Sequence, residues 1–271
     1  MSHRESSNSL LLVIVVAVII AFTIALALFL VNYTNLHSKP SIKRVNELLE
    51  KGSPNEAIKV LDTFDDATRG SSQTLLEYGK SWYLVAWKEQ VDSSWREYAS
   101  DINDWFNSPS VEKSLHYLKK AQEDSTTLAD ATFYIALIYM QKGWYDKSES
   151  EFNYLFKIDP THREGILNYA VLKSRQSHYD QAVIILERGI TEYPKFAEYY
   201  KNIFWIYSTH LKNPELAIKF GDRYTKLAKR GAPGVIKVNE ELVDLLARFP
   251  EYKSDTLKIV KQMGKPFLPR K

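Results

Sequence analysis

The side chains best able to move protons or bind metal near neutral pH are the histidines, of which five follow the apolar N-terminal stretch: His37, His116, His162, His178 and His210. Their spacing offers no metal site: no His-x3-His or His-Glu-x-x-His pattern sets two imidazoles on one helical face, and nothing in the sequence marks one of them for proton transfer. Acidic pairs such as Asp65-Asp66 and Glu240-Glu241 fall in connectors or on helix faces, where solvated charge accounts for them. No glycine-rich phosphate loop, nucleophile elbow or kinase signature is present. The chain has no cysteine, which removes disulfides, thiolate metal sites, cysteine nucleophiles and iron–sulfur clusters together. With a net charge of +3 and no Lys/Arg run longer than two, nothing points to nucleic acid. The chain reads as a protein that is not an enzyme and carries no cofactor.

What the sequence offers instead is packing and contact chemistry. Hydrophobic residues make up 45% of the chain and aromatics 13%, enough for a folded, aromatic-rich interior. Four of the six tryptophans lie between Thr74 and Phe106. These rings suit a core, and equally a partner-facing patch, since Trp and Tyr dominate binding hot spots.

The elements that must position these residues repeat every 34 residues. Ala136 and Ala170 are 34 apart, as are Ser148 and Ala182, Phe152 and Leu186, and Pro160 and Pro194. Such a period marks a stacked helix–turn–helix unit. The alanines let two helices approach, Phe152 and Leu186 fill the gap to the next hairpin, and the prolines end each second helix. These residues resemble the tetratricopeptide repeat (TPR), with Asp159-Pro160 and Tyr193-Pro194 matching its ending. The resemblance implies an all-α fold, an α-solenoid of TPR-like units, whose first helices line a concave groove for an extended peptide or helix. Helical projection puts Phe133, Leu137, Gln141, Asn168, Val171, Arg175, Lys201, Asn202 and Trp205 on or near that groove. Groove asparagines of the family often bond a peptide backbone, and an amide both donates and accepts. Only Lys201 and Arg175 could serve the family's basic clamp for acidic C-termini, so that ligand is not expected.

The expected organisation is a tail over 1–9, a membrane helix over 10–31, a linker over 32–41, repeats over 42–250, and a capping helix with tail over 251–271. The clearest repeats are 129–162 and 163–196. Ser114 and Leu118 sit 34 before Ser148 and Phe152, so the preceding unit carries an insertion of about twenty residues, around 82–107. Ala182 to Ala217 is 35, which places one additional residue in the turn Thr209–Asn213.

Leu10 to Val31 is 22 residues without a charge. As a helix it would span roughly 33 Å, enough for a hydrocarbon core of about 30 Å. A cleaved signal is the rival reading, but Leu28-Phe29-Leu30-Val31 runs on beyond the small-x-small Ala25-Leu26-Ala27. The protein is therefore expected to be single-pass in a cell membrane. Lys39, Lys43 and Arg44 lean the soluble part toward the cytoplasm, and an exported domain stays open. Ala17, Ala21 and Ala25 form a small-residue ridge through which the span could form a homo- or hetero-oligomer. The functional expectation is a membrane-tethered scaffold for protein or peptide partners; the alternative is a structural subunit of a membrane or envelope complex with permanent interfaces.

Overall fold

The structure is a computed structural model that describes residues 20–27, 40–91, 108–229 and 233–252. The described residues are helices stacked as antiparallel pairs. The first unit pairs α1 (Ile42–Glu50) with α2 (Pro54–Asp62), and a single turn of helix, α3 (Asp66–Arg69), occupies the polar connector. The second pairs α4 (Ser72–Val91) with α5 (Pro109–Ala121). The third and fourth are α6 (Leu128–Gln141) with α7 (Tyr145–Ile158), and α8 (Arg163–Arg175) with α9 (Tyr179–Glu192). The fifth pairs α10 (Ala197–Trp205) with α11 (Pro214–Leu227), and α12 (Pro233–Arg248) packs on α11. Residues 20–27 are helical and exposed; the rest of the expected membrane span lies outside the described residues. Among the described residues no helix is long and apolar enough to cross a membrane. Residues 92–107 of the expected insertion, and all but the first two residues of the capping helix and tail expected over 251–271, also lie outside them.

Local rules set the ends of each helix. Ser41, Ser108 and Asn213 accept from the backbone N–H three residues on, and Pro54, Pro109 and Pro214 open their helices at the place where a missing N–H costs nothing. The first helices of four units close on a left-handed residue: Gly52 (φ 70), Gly143 (φ 72), Ser177 (φ 63) and Lys212 (φ 53). The second helices α7 and α9 stop at Asp159 (φ −132) and Tyr193 (φ −130), residues that the following proline pushes out of helix. The chain thus leaves the helix two residues before Pro160 and Pro194.

Inside the second to fifth units a small residue faces a bulky one. Ala136 and Ala170 are buried beside Phe152 and Leu186, which are wholly enclosed. Ser148 Oγ donates to the Ala136 carbonyl at 2.9 Å. In the second unit Ser114 Oγ makes the same bond to Gly79 at 2.8 Å, across 35 residues instead of 12, so that unit carries 23 more. The first 20-residue helix there runs on because Ala86 stands where Gly143 ends α6. The fifth unit reverses the sizes: Phe204 takes the alanine's place and Gly221 the bulky one's. A Cβ on Gly221 would sit 2.9 Å from the Phe204 ring and 2.9 Å from Leu242.

One expectation is corrected. The additional residue of the fifth unit does not lengthen the turn over Thr209–Asn213. It is absorbed earlier, as a π-helical turn over Ile206–His210 that continues α10. A one-residue insertion inside a helix widens a single turn, leaving the register beyond it intact.

Candidate functional site

The first helices α4, α6 and α8 stand next to one another, α10 follows, and their side chains fall into rows one period apart. The row nearest the helix starts is Asp130, Glu164 and Glu198. Each sits in a first turn, where a carboxylate complements the helix dipole. Each also has a partner: Asp130 faces His162 at 3.5 Å, Glu164 pairs with Arg163, and Glu198 with Lys201. The next row is Tyr134, Asn168 and Asn202, and the third is Leu137, Val171 and Trp205. Aligning Gly79 with Ala136 brings Gln73, Glu77 and Lys80 of α4 into the same three rows.

The structure sorts the nine residues expected at the groove into three groups. Phe133 and Leu137 are corrected: both are only 7% exposed and belong to the core with Ala136, Met140, Phe152 and Leu172. Their helix turns them between α6 and α8, so neither is available to a partner. Val171 borders the same core. Gln141 and Arg175 are spent on each other, since both terminal nitrogens of Arg175 donate to Gln141 Oε1 at 3.3 Å and tie α8 to α6. Lys201, Asn202, Trp205 and Asn168 remain half-exposed. Trp205 lies edge-on to Phe204 at 4.8 Å, with Lys237 Nζ 5.2 Å over its ring. Asn168 Nδ2 donates to the Glu164 carbonyl at 2.8 Å, and Asn202 Nδ2 does the same to Glu198 at 2.8 Å. The two amides are held in one orientation, each with its oxygen and a second N–H unspent by that bond.

Sequence reading passed over the polar centre of this face. Tyr83 and Tyr134 meet edge-on at 5.5 Å across α4 and α6, with Lys80 Nζ 6.0 Å from the Tyr134 ring. Burial pushes the Tyr83 hydroxyl up to about 12. Burial, reinforced by the carboxylates of Asp130 and Glu77, holds Tyr134 well above the usual phenol range. Glu77 is 1% exposed. Its Oε1 accepts from Gln73 and Lys80, both at 3.0 Å, and its Oε2 has no hydrogen-bond partner among the described residues. The hydrogen bond from His162, against partial burial, holds Asp130 below the usual carboxylate range. His162 is itself fixed, because Nδ1 accepts from Gly165 N at 2.9 Å, which leaves the proton on the nitrogen facing Asp130. The 34-residue spacing of Asp130, Glu164 and Glu198 was the signal that could have revealed this row. Two exposed histidines lie against tyrosine rings: His210 stacks on Tyr179 at 4.0 Å, and His116 meets Tyr117 edge-on at 5.4 Å.

These are neutral phenols, amides and paired charges, a set suited to contact rather than to bond making. No family model matches the chain, and no curated protein matches its sequence. Its fold is similar to that of MamA, at a TM-score of 0.46 and 15% identity for the MSR-1 protein, over 70% of this chain and 95% of that one. For the AMB-1 protein the values are 0.44 and 13%, over 69% and 95%. YrrB, described as a TPR protein with an unusual peptide-binding site, is similar at 0.41 and 10%, over 78% and 97%. All three scores are below 0.5. The TPR-like stacking stands on this chain's own period and contacts.

Proposed function

We propose that the protein is a membrane-tethered scaffold that holds an extended segment of a partner protein across the face of α6, α8 and α10. The supporting observation is the pair Asn168 and Asn202. They occupy equivalent places one period apart, are oriented by the same 2.8 Å bond, and keep donor and acceptor capacity for a backbone. Amides oriented before binding lose little rotamer freedom on contact. Trp205 and Lys201 at one end and the Tyr83/Tyr134 pair at the other supply the larger contacts.

The tether is Leu10 to Val31. Its uncharged length supports a single span, and in the described part Ile20, Phe22, Ile24 and Leu26 are all exposed. Tethering raises the effective concentration of membrane-bound partners, so single contacts can be weak. Lys39, Lys43 and Arg44 favour a cytoplasmic scaffold. Protease added to intact cells should then leave the repeats whole; digestion once only an outer barrier is removed would contradict that side.

The face is tested by Asn168→Arg and Asn202→Arg in the full chain, against Ile184→Arg, a control at a 66% exposed position on α9. Recovery of the co-purifying partner is expected to fall by about tenfold or more with each asparagine change, since lost hydrogen bonds and a new charge cost at least ~1.4 kcal/mol. The control should keep it, with unchanged helical circular dichroism in all three. Retention in both asparagine variants, or loss in the control, would contradict the assignment.

A further inference from the structure

A cavity away from the face of the first helices lies where the first unit meets the second. Its volume is about 350 Å³. Asp62 reaches it from α2, Tyr78 and Trp82 from α4, and Glu112, Lys113 and Tyr117 from α5. The Tyr78 and Tyr117 rings stack at 4.8 Å with their planes 16° apart. The Tyr78 hydroxyl donates to Asp62 Oδ1 at 2.7 Å, which anchors that carboxylate against the rings. His116, edge-on to Tyr117, adds a fourth ring.

Aromatic faces and carboxylates converging on one space are the chemistry of a site for an organic cation. The structure shows a cation using it: Lys113 Nζ lies 4.1 Å from the centre of the Trp82 ring. Lys113 is an exposed residue on the surface of α5, so its ammonium is drawn onto the indole from a position where water is the alternative. An exposed side chain of this kind is easily exchanged for another of the same charge.

We propose that this cavity is a second binding site that takes a lysine side chain of a partner protein. In that site Trp82 supplies the ring, Asp62 and Glu112 the counter-charge, and Lys113 is the internal occupant that the ligand displaces. The position is independent of Asn168 and Asn202, so this site and the face of the first helices can fail separately.

The test uses the full chain and Nα-acetyl-lysine methylamide, with the norleucine compound as the uncharged control. The readout is the indole N–H resonance of Trp82, assigned by its disappearance in Trp82→Phe. The lysine compound should shift it saturably and the norleucine compound should not. Lys113→Met, a surface change, should tighten binding by about tenfold by removing the competitor. Asp62→Asn, which keeps an acceptor for Tyr78, should weaken it by a similar factor. No shift in either the parent or Lys113→Met would overturn the proposal. So would an equal response to norleucine, an affinity indifferent to Lys113→Met, or a response to choline in place of lysine.

Discussion

The fourth and fifth units differ in a way that neither shows alone. In the fourth, Ala170 lies on the first helix and Leu186 on the second; in the fifth, the equivalent places hold Phe204 and Gly221. The junctions between units make the same exchange. Where the third unit meets the fourth, Leu155 leans on Gly165, whose Cβ would fall 2.7 Å from the leucine. At the next junction the glycine is Gly189 and the bulk is Tyr199, again 2.7 Å from that missing Cβ. One junction earlier, both places are alanine, Ala121 and Ala131, both wholly buried. Between the fourth and fifth units the exchange keeps the summed volume of the facing pair nearly constant. The junctions hold only to one rule, that at least one member is small, and leave open which helix supplies the bulk. Close packing requires this, since an interior tolerates neither a void nor an overlap.

The largest expected effect comes from breaking the reversed pair on one side. Phe204→Ala should cost about 3–5 kcal/mol, because Gly221 opposite it has no side chain to move into the void. The equivalent alanine in the fourth unit is native, so the loss belongs to the partner's size and not to the place. Chemical denaturation reads it directly.

A smaller effect separates the third–fourth junction from the fourth–fifth. At the former, Lys173 Nζ lies 2.6 Å from Glu149 Oε1, and the Tyr169 hydroxyl adds a bond at 3.2 Å. Burial would raise Glu149, but the bond from Lys173 and its charge bring it below its usual 4.5. A depressed carboxylate contributes its full stability above the unfolded value and loses it as pH falls through the folded one. Lys173, raised above 10.5 by that bond despite burial, loses its share only as pH rises past its folded value. Lys173→Met should therefore destabilise by about 1–3 kcal/mol at neutral pH, the partly exposed Glu149 rehydrating in part. The gap from the parent should shrink as pH drops below 4.5. A gap that grows in acid would show the pair to be misread.

The smallest effect lies in the turns. Gly143 and Ser177 occupy the same left-handed position, and a Cβ on Gly143 would have nothing within 4 Å. Backbone strain is then the only term: Gly143→Ala should lose about 1 kcal/mol, and Ser177→Gly should gain at most about that much. Thermal melts of the two variants should move in opposite directions.

The period and the central helix pairs were legible because Ala136, Ala170, Phe152 and Leu186 keep both type and spacing. The fifth unit was legible only in outline, since exchanged sizes erase residue identity while preserving volume. The π turn was beyond reading: a count shows that one residue is added, and whether a turn or a helix takes it depends on packing at Ile206 and Tyr207. At the candidate face, Asn168 and Asn202 were visible by spacing. Phe133 and Leu137 were misplaced because a helical projection cannot say how far the neighbouring helix encroaches. Glu77 and Lys80 were hidden by the insertion, which broke the 34-residue register of α4.

The most direct test is the double variant Phe204→Ala with Gly221→Leu, which rebuilds in the fifth unit the arrangement native to the fourth. Each single change should destabilise, the first through a void and the second through contact with Phe204 and Leu242. The double variant should recover about 1–3 kcal/mol relative to the sum of the singles, measured by denaturation at neutral pH. Additive losses would contradict the claim that the fourth and fifth units conserve volume across their facing helices.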